Sequence, residues 1–296
     1  MISSAAQGKP NISIRFIRVS QYFDSEKLFV DQHLSVETYY RLIIPEIMPD
    51  YHKILYLDCD MVANYDVAEL YDIDLGGSIL GATKDIDVAG QMNLGQNNWK
   101  EYASSTIGLK SPYDYFQAGV LVLDLDRLRN TASSEEMIRI ALARRWRCHD
   151  QDVLNRICKG QIKYIPQEWN VLMDWQEPGR SRMEILKMAP RMLYEEYAFA
   201  RKTPKMIHYA GYQKPWEVVD CDMAEYFWEY AKLSPYYPRL LRGIKRCLAE
   251  EDGGITTGIK KLEQDAGIRR IANRLLPFGS RRRELLKNLY FRKNRN

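Results

Sequence analysis

The sequence predicts an α/β layered fold, on three observations. A short apolar run, Ile54-Leu55-Tyr56-Leu57, stops abruptly at two carboxylates, Asp58 and Asp60. This is the pattern of a buried strand whose carboxyl end opens into a ligand crevice. A second run, Tyr115 to Leu125, is continuous and β-branched enough for a central strand. Strand-like and helix-like segments then alternate along most of the chain, which favours helices layered on a sheet.

In chain order, residues 1–10 are small and polar, and read as a disordered start. Asn11 to Val19 alternates Ile12, Ile14 and Phe16 with polar neighbours, a strand pattern. Ser35 precedes Val36, Tyr39, Tyr40, Ile43 and Ile44 at helical spacing, which predicts a capped helix ended by Pro49. The strand Lys53 to Leu57, an amphipathic turn near Val67 to Leu70, and a strand Ser78 to Thr83 follow. From Gly90 to Ser111 the chain is rich in Asn, Gln and Gly, and reads as a long lid or acceptor loop. A helix Ser134 to Arg147 capped by Ser134, a helix from Asp150 stopped by Gly160, and strands Gln161 to Ile165 and Lys205 to Tyr209 complete the sheet pattern. Ala224 to Leu233 is a last helix, with Asp222 as its cap and Glu225 close to a capping-box position.

Composition narrows the class. The 296 residues, 46% hydrophobic and 28% charged, suit a soluble globular protein with a sizeable core. No apolar stretch reaches bilayer length, and MISSAAQGKP lacks the apolar centre of a secretion signal, so the expected location is the cytoplasm. Cys59, Cys148, Cys158, Cys221 and Cys247 show no C-x-x-C spacing, against a disulfide framework or a structural zinc site. Cys148-His149-Asp150 has the letters of a thiol triad, but three consecutive residues do not converge as nucleophile, base and orienter.

Two carboxylates one residue apart repel each other and require a counter-charge, for which a hard divalent cation is suited. The letters alone are weak: Asp220-Cys221-Asp222-Met223 repeats Asp58-Cys59-Asp60-Met61. Position separates the copies. Far downstream, His208 ends a strand and opens HYAGYQKPW, in which Gly211 allows close backbone approach to an anion and Lys214 offers a point charge for phosphate. Two carboxylates, one imidazole and diphosphate oxygens suit Mn²⁺ or Mg²⁺ better than zinc.

Four motifs in order, KILYL-Asp58-Cys59-Asp60, Phe116-Gln117-Ala118-Gly119-Val120, His149-Asp150-Gln151-Asp152-Val153-Leu154-Asn155 and His208 to Trp216, resemble glycosyltransferase family 8. The resemblance implies a GT-A fold over residues 11–233, a UDP-sugar donor, a divalent metal and retention of anomeric configuration. It implies Asp58, Asp60 and His208 as metal ligands, with Cys59 between the carboxylates. Gly211 and Lys214 fall at donor-diphosphate positions, and Arg41 matches a basic residue near the donor. Asp85, Gln117, Ala118, Asp150 and Gln151 fall around the transferred sugar, with Asp150 the candidate nucleophile and Gln151 a candidate for orienting the sugar. Gln117 stands where many members carry Asn. The chain begins after the family's first nucleotide-binding strand. It is expected to move a glucose or galactose to a lipopolysaccharide, glycolipid or surface polysaccharide acceptor; a scaffold that has lost donor binding is the alternative.

The carboxyl-terminal segment, residues 234–296, reads as a separate appendage. From Tyr236 onward there are 16 Lys or Arg against 6 Asp or Glu, while the whole chain carries +4, so the preceding body is acidic. Ile268, Ile271, Leu275 and Leu276, then Leu285, Leu286, Leu289 and Tyr290, recur at helical spacing among Arg269, Arg270, Arg274, Arg281, Arg282, Arg283 and Lys287. Basic amphipathic helices of this kind are expected to attach to the anionic inner face of a membrane. No base-reading module accompanies them, so nucleic acid is not an expected partner.

Overall fold

A computed structural model of the chain describes residues 11–22, 28–29, 36–177 and 180–252. Among these, nine short strands form: β1 (Lys53–Leu57), β2 (Met61–Ala63), β3 (Leu80–Ala82), β4 (Val120–Asp124), β5 (Ile162–Tyr164), β6 (Val171–Leu172), β7 (Gln176–Glu177), β8 (Arg180–Ser181) and β9 (Met206–His208). They belong to two compact units, one of Met1–Tyr56, Tyr71–Lys84 and Lys100–Tyr164, the other of Leu57–Leu70, Asp85–Trp99 and Ile165–Asn296.

The first unit is built on a sheet of order β1-β4-β3-β5. β3 runs antiparallel to β4, with Leu80 opposite Leu123, and parallel to β5, with Leu80 opposite Ile162. Val120 to Leu123 are fully buried because β4 is central, whereas β1 is half-buried along its length. The apolar run at Ile54 therefore marks an edge strand of this sheet, and the deeply buried strand is β4. Directly after β4, Asp124 caps the helix Leu125–Thr131 by accepting from Arg127 N at 2.9 Å. The helix His149–Cys158 ends at Gly160, whose φ of +76° suits only a residue without Cβ.

The second unit holds a sheet of order β2-β9-β6 and the hairpin β7-β8. β9 is central, antiparallel to β2 with Met61 opposite His208, and parallel to β6 with Leu172 opposite His208. The helix Arg182–Leu186 starts with a capping box, Ser181 and Glu184 each serving the other's backbone N–H. It packs on the helix Ile86–Asn93 so closely that a Cβ on Gly90 would lie 2.1 Å from Ile185 O.

Several expectations are corrected. Asn11 to Val19 is not a strand, and Phe16 is 68% exposed; alternation builds a strand only where a sheet edge is available to pair. Val36–Ile43 is a 3₁₀ helix followed by the short α-helix Ile44–Ile47, because an α-helix through this stretch would require the N–H that Pro45 lacks. Ser35 lies outside the described residues. The segment from Gly90 to Ser111 is no open lid. It contains the end of the helix Ile86–Asn93, a 3₁₀ turn, and a run from Trp99 to Ile107 that buries Trp99, Tyr102, Ala103 and Ile107. Of its glycines, Gly90 serves packing, while Gly95 and Gly108 supply turns at positive φ. The strand at Tyr115 to Leu125 is interrupted by the turn at Gln117 to Gly119 and begins at Val120. Ser133, not Ser134, caps the next helix, which stops at Leu142. Asp222 does not cap the helix Ala224–Ala231; Met223 precedes it, and Asp222 instead receives Arg201 Nη2 at 2.8 Å and Asp174 N at 2.7 Å. The amphipathic stretches from Ile268 onward lie outside the described residues. Among the described residues no helix is long and apolar enough to cross a membrane.

Candidate active site

In the second unit the register of β2 against β9 does the assembling. Asp58-Cys59-Asp60 bends the chain between β1 and β2. Met61 lies opposite His208, and Tyr209 N donates to Asp60 O at 2.9 Å, so Asp60 and His208 are brought side by side. His208 Nε2 stands 3.3 Å from Asp60 Oδ1 and 3.8 Å from Asp58 Oδ2. One ligand atom from each of the three residues falls within 4.8 Å of the others. That donor set, two carboxylates and an imidazole, could hold a hard divalent ion such as Mn²⁺ or Mg²⁺. Cys59 points outward and is exposed.

His208 is almost fully buried, and its Nδ1 lies 3.0 Å from Asn170 Oδ1, which can only accept. With the amide oxygen of Asn170 against Nδ1, Nε2 is the ring nitrogen that faces the carboxylates. Lys214 Nζ reaches Asp60 Oδ2 at 2.5 Å and Tyr209 O at 2.7 Å. Burial alone would raise the Asp60 carboxyl, but hydrogen bonds and charge from His208 and then Lys214 hold it well below the usual carboxylate range. Gly211, between His208 and Lys214, has a φ of +112°. Asp85 is buried in the same unit, and its Oδ1 caps the helix Ile86–Asn93 through Val88 N at 2.9 Å.

The first unit brings together Arg41, Gln117, Ala118, Asp150 and Gln151. Asp150, 3% exposed, is met by Arg41 Nε at 2.8 Å and by the Thr38 hydroxyl. Arg41 also donates to Ala118 O and lies over the Tyr56 ring, 4.5 Å from its centroid. Gln151 Oε1 accepts from Ala118 N at 2.9 Å, and Gln117 Oε1 closes its own turn by accepting from Gly119 N at 2.6 Å. Asn155 grips both sides of Phe116, accepting from its N at 2.9 Å and donating to its O at 2.8 Å. Asp152 is a structural hub: it takes the hydroxyls of Tyr102 and Tyr115 and Cys148 N. His149, at a φ of +48°, is buried with its ring edge-on to Tyr39, and the Cys148-His149-Asp150 run forms no triad.

Sequence reasoning missed Asn170 and the pair Asp87–Arg182. Asn170 is legible only through the pairing of β6 with β9, and no short-range pattern points to it. Asp87, two residues after Asp85, offered a faint signal as a second carboxylate in Lys84-Asp85-Ile86-Asp87.

A family model described as glycosyl transferase family 8 matches residues 4–219. The chain belongs to glycosyltransferase family 8. Its α/β architecture is of the GT-A type, and solved structures agree. The galactosyltransferase LgtC, solved in complex with donor and acceptor sugar analogues, is 30% identical with a TM-score of 0.60 over 79% of this chain and 80% of that one. The bifunctional glycosyltransferase WbbM is 29% identical with a TM-score of 0.69, over 82% of this chain and 43% of that one. Among curated relatives, general stress protein A of Bacillus subtilis is 26% identical over 70% of this chain and 68% of its own length. Lipopolysaccharide 1,2-glucosyltransferase of Escherichia coli is 25% identical over 55% of this chain and 44% of its own length. The chain thus spans less than half of several relatives it matches.

Proposed function

We propose that this family 8 chain is a retaining glycosyltransferase that moves a hexose, glucose or galactose, from a UDP-sugar to a lipopolysaccharide, glycolipid or surface polysaccharide acceptor. The observation that carries the reading is the convergence of Asp58, Asp60 and His208, with Lys214 bonded to the same Asp60. Relatives named as a lipopolysaccharide glucosyltransferase and a galactosyltransferase support the sugar and acceptor class.

In this reading Asp58, Asp60 and His208 would hold a divalent metal, which would supply charge stabilisation for the diphosphate leaving group. Asn170 fixes the imidazole so that Nε2 faces the carboxylates. Gly211 allows the backbone to approach the diphosphate, and Lys214 exchanges its bond to Asp60 for a diphosphate oxygen as charge develops there. Asp85, Gln117, Ala118 and Gln151 orient the hexose. Asp150 is the candidate carboxylate for a double displacement. Its two oxygens are already engaged by Arg41 and Thr38, which suits a carboxylate that positions Arg41 and favours return on the same face, the leaving phosphate oxygen taking the acceptor's proton.

Calorimetric titration of UDP with and without Mn²⁺ tests the core of the proposal. Binding that requires Mn²⁺ and is lost in Asp58→Asn is the expected result; no binding under either condition would favour a non-catalytic scaffold. Attachment of the basic segment to the cytoplasmic face of a membrane belongs to the same proposal. Removing residues 268–296 should abolish co-sedimentation with anionic vesicles and leave donor hydrolysis intact, and unchanged co-sedimentation would refute it.

A further inference from the structure

The second unit buries one more cation, Arg182, to which the family motifs give no role. It is 6% exposed and opens the helix Arg182–Leu186. Its Nε lies 2.9 Å from Asp87 Oδ2, and its Nη1 donates to Met173 O at 2.9 Å and to Ala210 O at 2.8 Å. These bonds fix the guanidinium plane against the loop that carries His208, Gly211 and Lys214. Nη2 makes no hydrogen bond to any described residue. It borders Gly211: a Cβ built there would stand 3.2 Å from Nη2 and 3.0 Å from Trp175 Cδ1. Trp175 is itself buried, and Arg182 lies over its ring, 5.7 Å from the centroid.

Burying a guanidinium is costly unless its donors are used. A strut between Asp87 and two carbonyls accounts for Nε and Nη1 but leaves Nη2 as a donor held beside Gly211, within reach of a ligand. Arginine differs from lysine in this respect, because its rigid fork can hold a carboxylate with one edge and present another nitrogen to an anion. By contrast, Arg139, Arg144, Arg156 and Lys159, around a cavity of about 510 Å³ beside the helix Ser134–Leu142, are all exposed.

We infer that Arg182 is a further donor-binding residue, whose Nη2 contacts a phosphate oxygen of the donor diphosphate beside Gly211. This rests on the diphosphate reading of Gly211 and Lys214 above. The test is calorimetry on the full chain with two probes in sequence, Mn²⁺ alone and then inorganic pyrophosphate in saturating Mn²⁺, for wild type, Arg182→Met and Arg182→Lys. Both variants should keep Mn²⁺ affinity within about twofold and lose about tenfold in pyrophosphate affinity, the scale of one charge-assisted hydrogen bond. Arg182→Lys keeps a cation for Asp87 and carries the test if Arg182→Met does not fold. Unchanged pyrophosphate affinity in a folded variant overturns the inference. So does an equal fall in Mn²⁺ and pyrophosphate affinity, which marks a strut. If wild type takes up Mn²⁺ but no pyrophosphate, the diphosphate reading fails first and this inference with it.

Discussion

Asp60 in the second unit and Asp150 in the first are both carboxylates held by a cation, and they are built differently. Asp60 sits on a bend, partly open to solvent, and its cation is a lysine on a flexible stem from a distant loop. Asp150 opens a helix, is sealed from solvent, and its cation is an arginine pinned by a carbonyl and an aromatic ring. A lysine point charge can be exchanged for another cation at modest cost, whereas a buried, multiply held arginine cannot. The comparison separates a carboxylate made to change partners from one made to keep its partner.

The sharpest way to break that contrast is to remove the exchangeable carboxylate. Asp60→Asn or His208→Ala should lower Mn²⁺-dependent donor hydrolysis by about a thousandfold, the scale of a lost metal contribution, while urea melting changes little. Retained hydrolysis would place the metal elsewhere. Arg41→Met should also register in stability. It strands Asp150 in the interior, costing about 3 kcal/mol in urea denaturation, and a loss below about 1 kcal/mol would mean that the pair is not held as described. A smaller effect is expected from Asn170→Ala, which leaves all three ligand residues in place. Mn²⁺ affinity should fall by about 10- to 100-fold, measured by titration against a metal indicator, with unchanged affinity excluding Asn170 as the imidazole's anchor. The least effect is on acid stability. The Asp60 carboxyl is depressed in the folded chain, so its contribution is present above the ordinary carboxylate pKa of about 4 and is lost as pH falls below it. Metal-free wild type should therefore lose more stability than Asp60→Asn between about pH 4 and pH 2, read by thermal melting in chelator.

The legible parts of the fold and site were those in which neighbouring residues act together. Asp58 and Asp60 follow an apolar run directly, and Gly211 and Lys214 follow His208 within one loop, so spacing offers them as candidates, although the copy at Asp220 shows that the letters need their position. Central strand β4 was visible for the same reason, though the turn at Gln117 to Gly119 was masked by its apolar flanks. What escaped depends on distant pairing. Asn170 reaches His208 only because β6 lies beside β9, and Arg182 reaches Ala210 only because the helix after β8 folds back onto that loop. Gly90 shows the opposite failure: in the sequence it suggested a mobile loop, yet it is the point where two helices nearly touch. Composition records which residues are small, not whether smallness serves motion or contact.

The parallel pairing of β6 with β9 has a consequence beyond architecture. Leu172 is opposite His208, and Asn170, the residue just before β6, reaches the His208 ring at 3.0 Å. Slipping β6 against β9 by one residue would carry Asn170 along the sheet by about 3.3 Å and take its amide out of reach of Nδ1. In the proposed metal site, an ion that binds only the correctly paired chain would favour that pairing by mass action.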